Sequence, residues 1–268
     1  MARGFYIARI DVGDLAGPDR LEKQVVFLRK HAEVGIVGTG CIVIDEAGEK
    51  IGEERFPASD LEIRWMSLLN NPFLHPSVMF RRDVLVQHQL AYDPSFQATQ
   101  DYELWTRLLE HTQAANLQEC LMTYRISRAS ITGKQRGTQL SNHDTVALRT
   151  IRRACPDFSI AQEQVHCLRE AFAGGLLPKQ EREVPQVKLA GLYLDLLAAF
   201  ARNHHETAGM KRLQHREVFK VIKRVMQVKY ATFWLPVVTR AFHLYPTFLY
   251  PLLRRKIRRA IKRFRHRR

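Results

Sequence analysis

The apolar run Val34–Ile44 (VGIVGTGCIVI) restricts the fold of this chain more than any other feature. Its residues are apolar or small on both alternations, which is typical of a strand that other layers cover on both faces. Residues Phe5–Ile10 also have strand composition, and between the two runs Leu21, Val25 and Leu28 follow one another at helical spacing. Strand, helix and buried strand in this order predict an α/β domain, with a sheet and flanking helices.

Further helix and strand signals follow along the chain. Ser59 and Glu62 have the spacing of a capping box, which predicts a helix that begins there. Gln100–His111 is predicted to be an amphipathic helix and Cys120–Ile126 a strand. Apolar positions then recur at helical spacing in four segments, at about residues 138–154, 159–173, 185–203 and 207–228. The predicted organisation is a partial α/β domain over residues 1–135, an all-helical region over 136–228 and an aromatic and basic tail over 229–268.

The net positive charge is concentrated near the C-terminus. Residues 218–268 contain 15 Lys and Arg and no acidic residue, so they carry the whole formal charge of +15. Residues 230–253 are rich in aromatics, but Arg240 and three prolines divide them, so no transmembrane helix is expected. In the last predicted helix a narrow apolar stripe adjoins a face of Arg and Lys, as in helices that lie in a membrane interface. Nucleic acid is the alternative anionic partner, but the chain has no nucleic-acid-binding motif, so a membrane surface is the predicted partner.

The cysteines and the N-terminus indicate the compartment. Cys41, Cys120, Cys155 and Cys167 form no CxxC pair and have no metal-site spacing, so they are predicted to be free thiols in a reducing environment. Charged residues interrupt every apolar run near the N-terminus, so no signal peptide is expected. Together with the basic tail, these features predict a cytoplasmic protein that is peripheral at the inner face of the membrane.

Two groups of carboxylates are candidates for a functional site. Asp11 and Asp14 follow the first predicted strand, and ligands of open α/β sheets bind at the carboxyl ends of strands. Asp101 stands at the start of the predicted helix Gln100–His111, between a loop and a packed face. A carboxylate in that place suits a general base that takes a proton from a hydroxyl, but Asp is also a favoured helix cap. Position alone leaves both roles open.

Five segments of the chain, in this order, resemble the C-terminal half of the catalytic domain of one enzyme family. They are FYIARIDVGDLAGPDRLEKQ (5–24), VGIVGTGCIVIDEAG (34–48), NPFLHPSVMFRRDVL (71–85), YDPSFQATQDYELWTRLL (92–109) and ANLQECLMTYRIS (115–127). The family is the inverting, GT-A-fold glycosyltransferases of family two, which build surface polysaccharides in bacteria. The resemblance covers about half of the chain and implies a partial GT-A (Rossmann-like) sheet with flanking helices.

The resemblance also implies a reaction and a role for each group of carboxylates. A sugar would pass from a nucleotide-sugar donor to a lipid-linked or saccharide acceptor, in surface polysaccharide or lipopolysaccharide synthesis. Asp11 and Asp14 would hold Mg²⁺ or Mn²⁺ against the donor diphosphate, since such ions prefer one or two carboxylates together with phosphate oxygens. Asp101 would remove the proton of the acceptor hydroxyl. Arg9 and Asp11 would contact the cofactor, and three further residues would contact the substrates: His75, Gln100 and Arg125.

The sequence departs from the family pattern in two ways. Gly13 stands where the family has Asp, Gln100 replaces the Glu beside the base, and Ser127 stands where many relatives have His, so a weakened metal site is expected. The family's domain also has an N-terminal part that reads the nucleotide base, and this chain is expected to lack it. Three explanations are open: the sequence is internal to a longer reading frame, the gene is split or decayed, or a separate polypeptide supplies the missing half. The alternative to an enzyme is a catalytically inactive truncated remnant or partner subunit that binds membrane or another chain.

Overall fold

The computed structural model describes residues 3–126, 136–172, 187–205, 207–225 and 231–245, without the side chains of residues 136 and 231–234. Ser127 and the predicted basic helix at the C-terminus lie outside the described residues. The chain divides into two compact units, Met1–Ala154 with Ser159–Pro178, and Cys155–Phe158 with Lys179–Arg268. The domain limits at residues 135 and 228 stay predictions.

A mixed, six-stranded sheet forms the centre of the first unit. Its strands are β1 (Tyr6–Ala8), β2 (Leu15–Ala16), β3 (Val34–Ile44), β4 (Lys50–Glu54), β5 (Met79–Arg81) and β6 (Gln113–Arg125). They lie in the order β1-β5-β3-β6-β2, and β4 pairs with β3 outside that path. β3 and β6 are parallel, whereas the other pairs are antiparallel. β6 begins earlier than the predicted strand Cys120–Ile126, because its first half pairs with the first half of β3.

Helices flank the sheet in the first unit, and the secondary-structure elements described in the second unit are helices. Those of the first unit are α1 (Arg20–Lys30), α2 (Asp60–Ser67), a 3-10 helix (His75–Ser77), α3 (Arg82–Gln87), α4 (Gln100–Leu108), α5 (Arg136–Ala154) and α6 (Gln162–Phe172). Those of the second unit are α7 (Val187–Arg202), α8 (Ala208–Val225) and α9 (Ala231–Leu244). Within the described ranges, no helix combines the length and the apolar character that crossing a bilayer requires.

The sheet is covered on both faces of β3, as the composition of that strand predicts. Ile36 belongs to an apolar cluster with Trp105, whereas Val37 packs with Leu28 and Met79 in a second cluster. The predicted fold class is confirmed: an α/β sheet with flanking helices is followed by a helical C-terminal region.

The buried face of α1 contains polar as well as apolar side chains. Its buried positions are Arg20, Gln24 and Leu28, whereas Leu21, one of the apolar residues at helical spacing, is 52% exposed. A polar side chain with internal hydrogen-bond partners can replace an apolar one in a core.

Candidate functional site

The candidate site lies where two neighbouring strands of the sheet meet the first turn of α4. β1 and β5 are antiparallel with Ala8 opposite Met79, so the residues after β1 lie beside those before β5. The backbone N–H of Arg9 donates to the carbonyl of Val78 at 2.9 Å. This pairing places Arg9 next to the 3-10 helix His75–Ser77.

The apolar face of α4 fixes the position of Asp101. Tyr102 and Trp105 are fully buried, and the hydroxyl of Tyr102 donates to the backbone carbonyl of Ser67 at 2.7 Å. Trp105 is therefore a core residue of the first unit. The side chain of Asp101, in the same first turn, is 19% exposed and therefore stays within reach of a ligand.

The carboxylate of Asp101 does not cap its own helix. The N-cap residue is Thr99, and no side-chain hydrogen bond caps the helix there. Oδ2 of Asp101 accepts a hydrogen bond from Nδ2 of Asn71 at 2.8 Å. The other end of the Asn71 amide accepts from the backbone N–H of Phe73 at 3.2 Å, which fixes its orientation. Sequence analysis missed Asn71, because it stands in a chain-breaking Asn-Asn-Pro run.

A chain of contacts joins the two predicted groups of carboxylates. Nη2 of Arg9 lies 3.1 Å from Oδ1 of Asp11 and 2.8 Å from Nε2 of His75. The other ring nitrogen of His75, Nδ1, lies 3.8 Å from Oδ2 of Asp101. The structure therefore brings Arg9, Asp11, His75 and Asp101 together in one place, although these residues are spread over nearly 100 positions of the chain.

The backbone holds the second carboxylate of the predicted metal site. The N–H of Arg125 donates to Oδ1 of Asp14 at 3.1 Å. Burial raises the pKa of Asp14, the hydrogen bond from Arg125 lowers it, and the charge of Asp11 raises it further. Gly13 has a φ of 95° in the turn that the Asp14 N–H closes on the Asp11 carbonyl. A glycine adopts this left-handed conformation without the strain that an Asp side chain would meet.

Asp11 and Asp14 provide an incomplete set of metal ligands. In the part of the chain that the structure describes, no group of three or more His, Cys, Asp or Glu side chains is arranged to hold a metal ion. Two carboxylates suit an ion such as Mg²⁺, which keeps waters and shares phosphate oxygens with a substrate, better than an ion enclosed by protein ligands. The weakened metal site stays a prediction.

Two of the predicted substrate contacts differ in their surroundings. The guanidinium of Arg125 donates to the backbone carbonyls of Asp45 at 3.2 Å and Glu46 at 3.0 Å, so it holds the turn after β3. Gln100 adjoins Asp101, and its Oε1 is buried without a hydrogen-bond partner among the described residues. Gln100 therefore lies beside the expected base, whereas the Arg125 side chain binds the turn after β3. Contacts of both residues with substrate stay predictions.

Aromatic side chains close one side of the site. The rings of Tyr92 and Trp105 lie 6.2 and 6.0 Å from the ring of His75, and the guanidinium of Arg9 lies 5.9 Å from the ring centre of Tyr92. Burial lowers the pKa of His75, although nearby carboxylates, Asp101 first among them, oppose this shift. His75 is therefore neutral at pH 7.

Arg20, the first residue of α1, supports the site and was not identified from the sequence. Its side chain is 1% exposed and donates to the backbone carbonyls of Arg9 at 2.8 Å and Val78 at 3.4 Å. It also donates to Oε1 of Gln24 at 3.1 Å. Burial lowers the pKa of Arg20 to about 10, so the guanidinium stays charged at pH 7. Arg20 and Gln24 stand at positions i and i+4 of α1, and this spacing was the signal in the sequence from which the pair could have been identified.

Comparison with known proteins finds relatives that are named glycosyltransferases. No protein-family model matches the chain. The O-antigen biosynthesis glycosyltransferase WbnJ of Escherichia coli is 39% identical over 127 residues, which are 46% of this chain and 48% of that protein. The amylovoran biosynthesis glycosyltransferase AmsE of Erwinia amylovora is 34% identical over 137 residues, which are 49% of this chain and 48% of that protein. The chain thus spans about half the length of these relatives.

Among solved structures, the crystal structure of S. aureus TarS 1–349 in complex with UDP aligns with a TM-score of 0.42 at 12% sequence identity. The alignment covers 92% of this chain and 66% of that chain.

Proposed function

We propose that this chain belongs to a glycosyltransferase of family two that moves a sugar from a nucleotide-diphosphate donor to an acceptor hydroxyl. One observation carries the proposal: Asp11, at the end of β1, and Asp101, at the start of α4, lie on one site and are joined by Arg9 and His75. The relatives named as glycosyltransferases support it over about half of the chain.

Asp101 is the general base of the proposed reaction. Its carboxylate takes the proton of the acceptor hydroxyl while the acceptor oxygen forms a bond to the anomeric carbon. The bond from that carbon to the diphosphate breaks on the opposite side, and its electron pair leaves with the nucleoside diphosphate, so the configuration of the sugar inverts. A Mg²⁺ or Mn²⁺ ion held by Asp11 and Asp14, when bound, supplies positive charge that neutralises the leaving diphosphate.

The names of the relatives and the basic tail suggest where the acceptor is found. WbnJ and AmsE are named for O-antigen and amylovoran biosynthesis, so we assign this chain to the synthesis of a surface polysaccharide. Ten Lys and Arg between residues 254 and 268 would hold it at the anionic inner face of the membrane, where a lipid-linked acceptor is accessible. The relatives' additional length corresponds to a further part of the enzyme, which a longer chain or a second polypeptide supplies.

Asp101→Asn tests the proposal. The substitution keeps the size and the contact with Asn71 but removes the base, so we expect sugar transfer to fall by about 10²- to 10⁴-fold. Release of nucleoside diphosphate from UDP-hexoses, with extracted membrane lipid as acceptor, measures transfer, and calorimetry measures donor binding, which should persist. Asp157→Asn is the matched control, since Asp157 is exposed and distant in sequence.

Unchanged turnover in Asp101→Asn would remove Asp101 from the mechanism. The assays use the chain together with the part of the enzyme that it lacks, and failure of this completed wild-type protein to bind any nucleotide sugar would contradict the proposed function itself.

A further inference from the structure

The two oxygens of the Asp101 carboxylate have different surroundings. Oδ2 receives the hydrogen bond from Asn71 at 2.8 Å and has Nδ1 of His75 at 3.8 Å. Among the described residues, no side chain donates to Oδ1. One oxygen is therefore engaged by the protein, and the other is available to a ligand.

Arg9 determines which nitrogen of His75 carries the proton. A guanidinium has only donors, so Nε2 of His75, at 2.8 Å from Nη2 of Arg9, must accept. In a neutral imidazole the proton then resides on Nδ1, the nitrogen that faces Asp101. The second N–H of the same Arg9 nitrogen is directed at Oδ1 of Asp11, 3.1 Å away, so Arg9 is itself anchored.

The ring of His75 is held in this orientation by its packing. Its ring centre lies 6.2 Å from that of Tyr92 and 6.0 Å from that of Trp105, and its side chain is 17% exposed. Nδ1 is buried and has no hydrogen-bond partner among the described residues. A buried donor without a partner is unfavourable, so a shift of roughly 0.6 Å that brings it to Asp101 is favourable. Catalytic hydrogen bonds that are long in a ligand-free site commonly tighten when substrate binds.

We propose that His75 is a positioning residue for Asp101: its Nδ1–H, together with Nδ2 of Asn71, engages Oδ2 and leaves Oδ1 as the atom that receives the acceptor proton. This inference rests on the proposed function of Asp101 as the base. His75 neither gains nor loses a proton in the reaction. The proposed role of His75 is thus directed at the base, and the substrate contact expected from the sequence stays a prediction.

Two substitutions of His75 distinguish the contact that Nδ1 makes from the contact that Nε2 makes. In His75→Asn the side-chain amide nitrogen takes the place of Nδ1, so a donor toward Asp101 is kept and the contact with Arg9 is lost. In His75→Gln the longer amide reaches the place of Nε2, so the contact with Arg9 is kept and the donor toward Asp101 is lost. We expect kcat of His75→Gln to be at least about tenfold below that of His75→Asn, with little difference in the KM for the donor.

Thermal unfolding of both variants distinguishes positioning from a structural role. If His75 only supports the fold, activity will follow stability in both variants, and equal kcat values for Asn and Gln would overturn the proposal. His205→Asn is the control, because His205 is exposed and belongs to the second unit.

A second measurement does not depend on activity. Long-range ¹H–¹⁵N spectra of the full chain labelled at histidine report the tautomer of each ring, and the signal missing from His75→Asn identifies His75. We expect the proton on Nδ1 at pH 7, and loss of that signature in Arg9→Met. A proton on Nε2 in the wild type would overturn the proposal.

The two experiments also separate this proposal from the function on which it rests. If Asp101→Asn abolishes transfer and His75→Gln does not reduce it below His75→Asn, the base survives and the positioning role is wrong. If the wild-type chain transfers no sugar when the missing part of the enzyme is supplied, both proposals fail, even when His75 has its proton on Nδ1.

Discussion

At the scale of single residues, the half-buried His143 of α5 makes the stability of the fold depend on pH. The ring of His143 lies 5.2 Å from that of Tyr102, and burial, followed by the positive charge of Arg169, lowers the pKa of His143 to about 3. The ordinary pKa of histidine is 6.5, so the unfolded chain binds this proton first as the pH falls. The neutral form therefore contributes stability that is complete above about pH 6.5 and is lost progressively toward pH 3.

His143→Gln removes this titrating group, so we expect the variant to lose less stability on acidification than the wild type. Between pH 7 and pH 5 the change in the free energy of unfolding should differ by at most about 2 kcal/mol. Urea unfolding at both pH values, followed by tryptophan fluorescence, measures it. His205→Gln removes an exposed histidine and serves as the control. Equal acid sensitivity of the wild type and His143→Gln would contradict the prediction.

The residues of the candidate site differ in how far sequence could identify them. Asp11 and Asp101 stand in segments whose composition and family pattern are recognisable. Arg20 and Asn71 act through contacts with residues far away in the chain, at Val78 and Asp101 respectively. Local spacing contains no information about such contacts, because they arise only when the sheet assembles.

At the scale of elements, the close approach of β3 and β6 depends on a residue without a side chain. A Cβ atom on Gly38 would lie 2.1 Å from Oδ1 of Asn116 and 3.0 Å from Cδ1 of Phe73. The Asn116 amide cannot easily move away, since its Nδ2 donates to the backbone carbonyls of Pro57 at 2.8 Å and Pro72 at 3.2 Å. Gly38 therefore permits the packing of the strand pair at the centre of the sheet.

Gly38→Ala should destabilise the chain by about 1–3 kcal/mol, because the added methyl group overpacks this contact. Chemical unfolding of the purified variant measures the loss. Gly52→Ala, in β4, is the matched control, since a Cβ atom there meets nothing within 4 Å and the change should stay within about 0.5 kcal/mol. If the two alanine variants are equally stable, the packing of β3 against β6 does not depend on Gly38.

A helix or strand could be predicted from the sequence where its own residues repeat with the period of that structure. β3 is recognisable because it is apolar on both faces. The first half of β6 is not, since Gln113 and Asn116 give it no alternation, and its strand state comes from parallel pairing with β3. The burial of Arg20 and Gln24 on α1 could not be predicted for a related reason, because both side chains are buried through hydrogen bonds to residues outside that helix.

At the scale of the whole molecule, the candidate site and the excess charge belong to different units. The residues that surround Asp101 lie in the first unit, whereas residues 218–268, with 15 Lys and Arg and no acidic residue, lie in the second. Composition alone predicts this division of charge. The predicted apolar stripe of the charged segment favours a membrane surface as its partner, because binding to nucleic acid would not require such a stripe.

We expect the full chain to sediment with vesicles that contain phosphatidylglycerol, and a chain that ends at residue 245 to stay in solution. Each basic residue near an anionic leaflet contributes about 1 kcal/mol at most, and salt screens this attraction, so binding should weaken between about 0.1 and 0.5 M salt. Vesicles of phosphatidylcholine alone are the control for charge. Equal sedimentation of the full and the shortened chain would contradict a role of the basic segment.

The buried guanidinium of Arg20 has a consequence for the ligands that the site attracts. The partners recorded for it in the described chain are neutral: the carbonyls of Arg9 and Val78, the amide of Gln24 and the sulfur of Met122. A cation enclosed without a counter-ion creates a positive electrostatic potential that water screens only weakly. Folding bears the desolvation cost of this charge in advance, so an anion that arrives beside Arg9 meets a preorganised attraction and supplies the missing opposite charge.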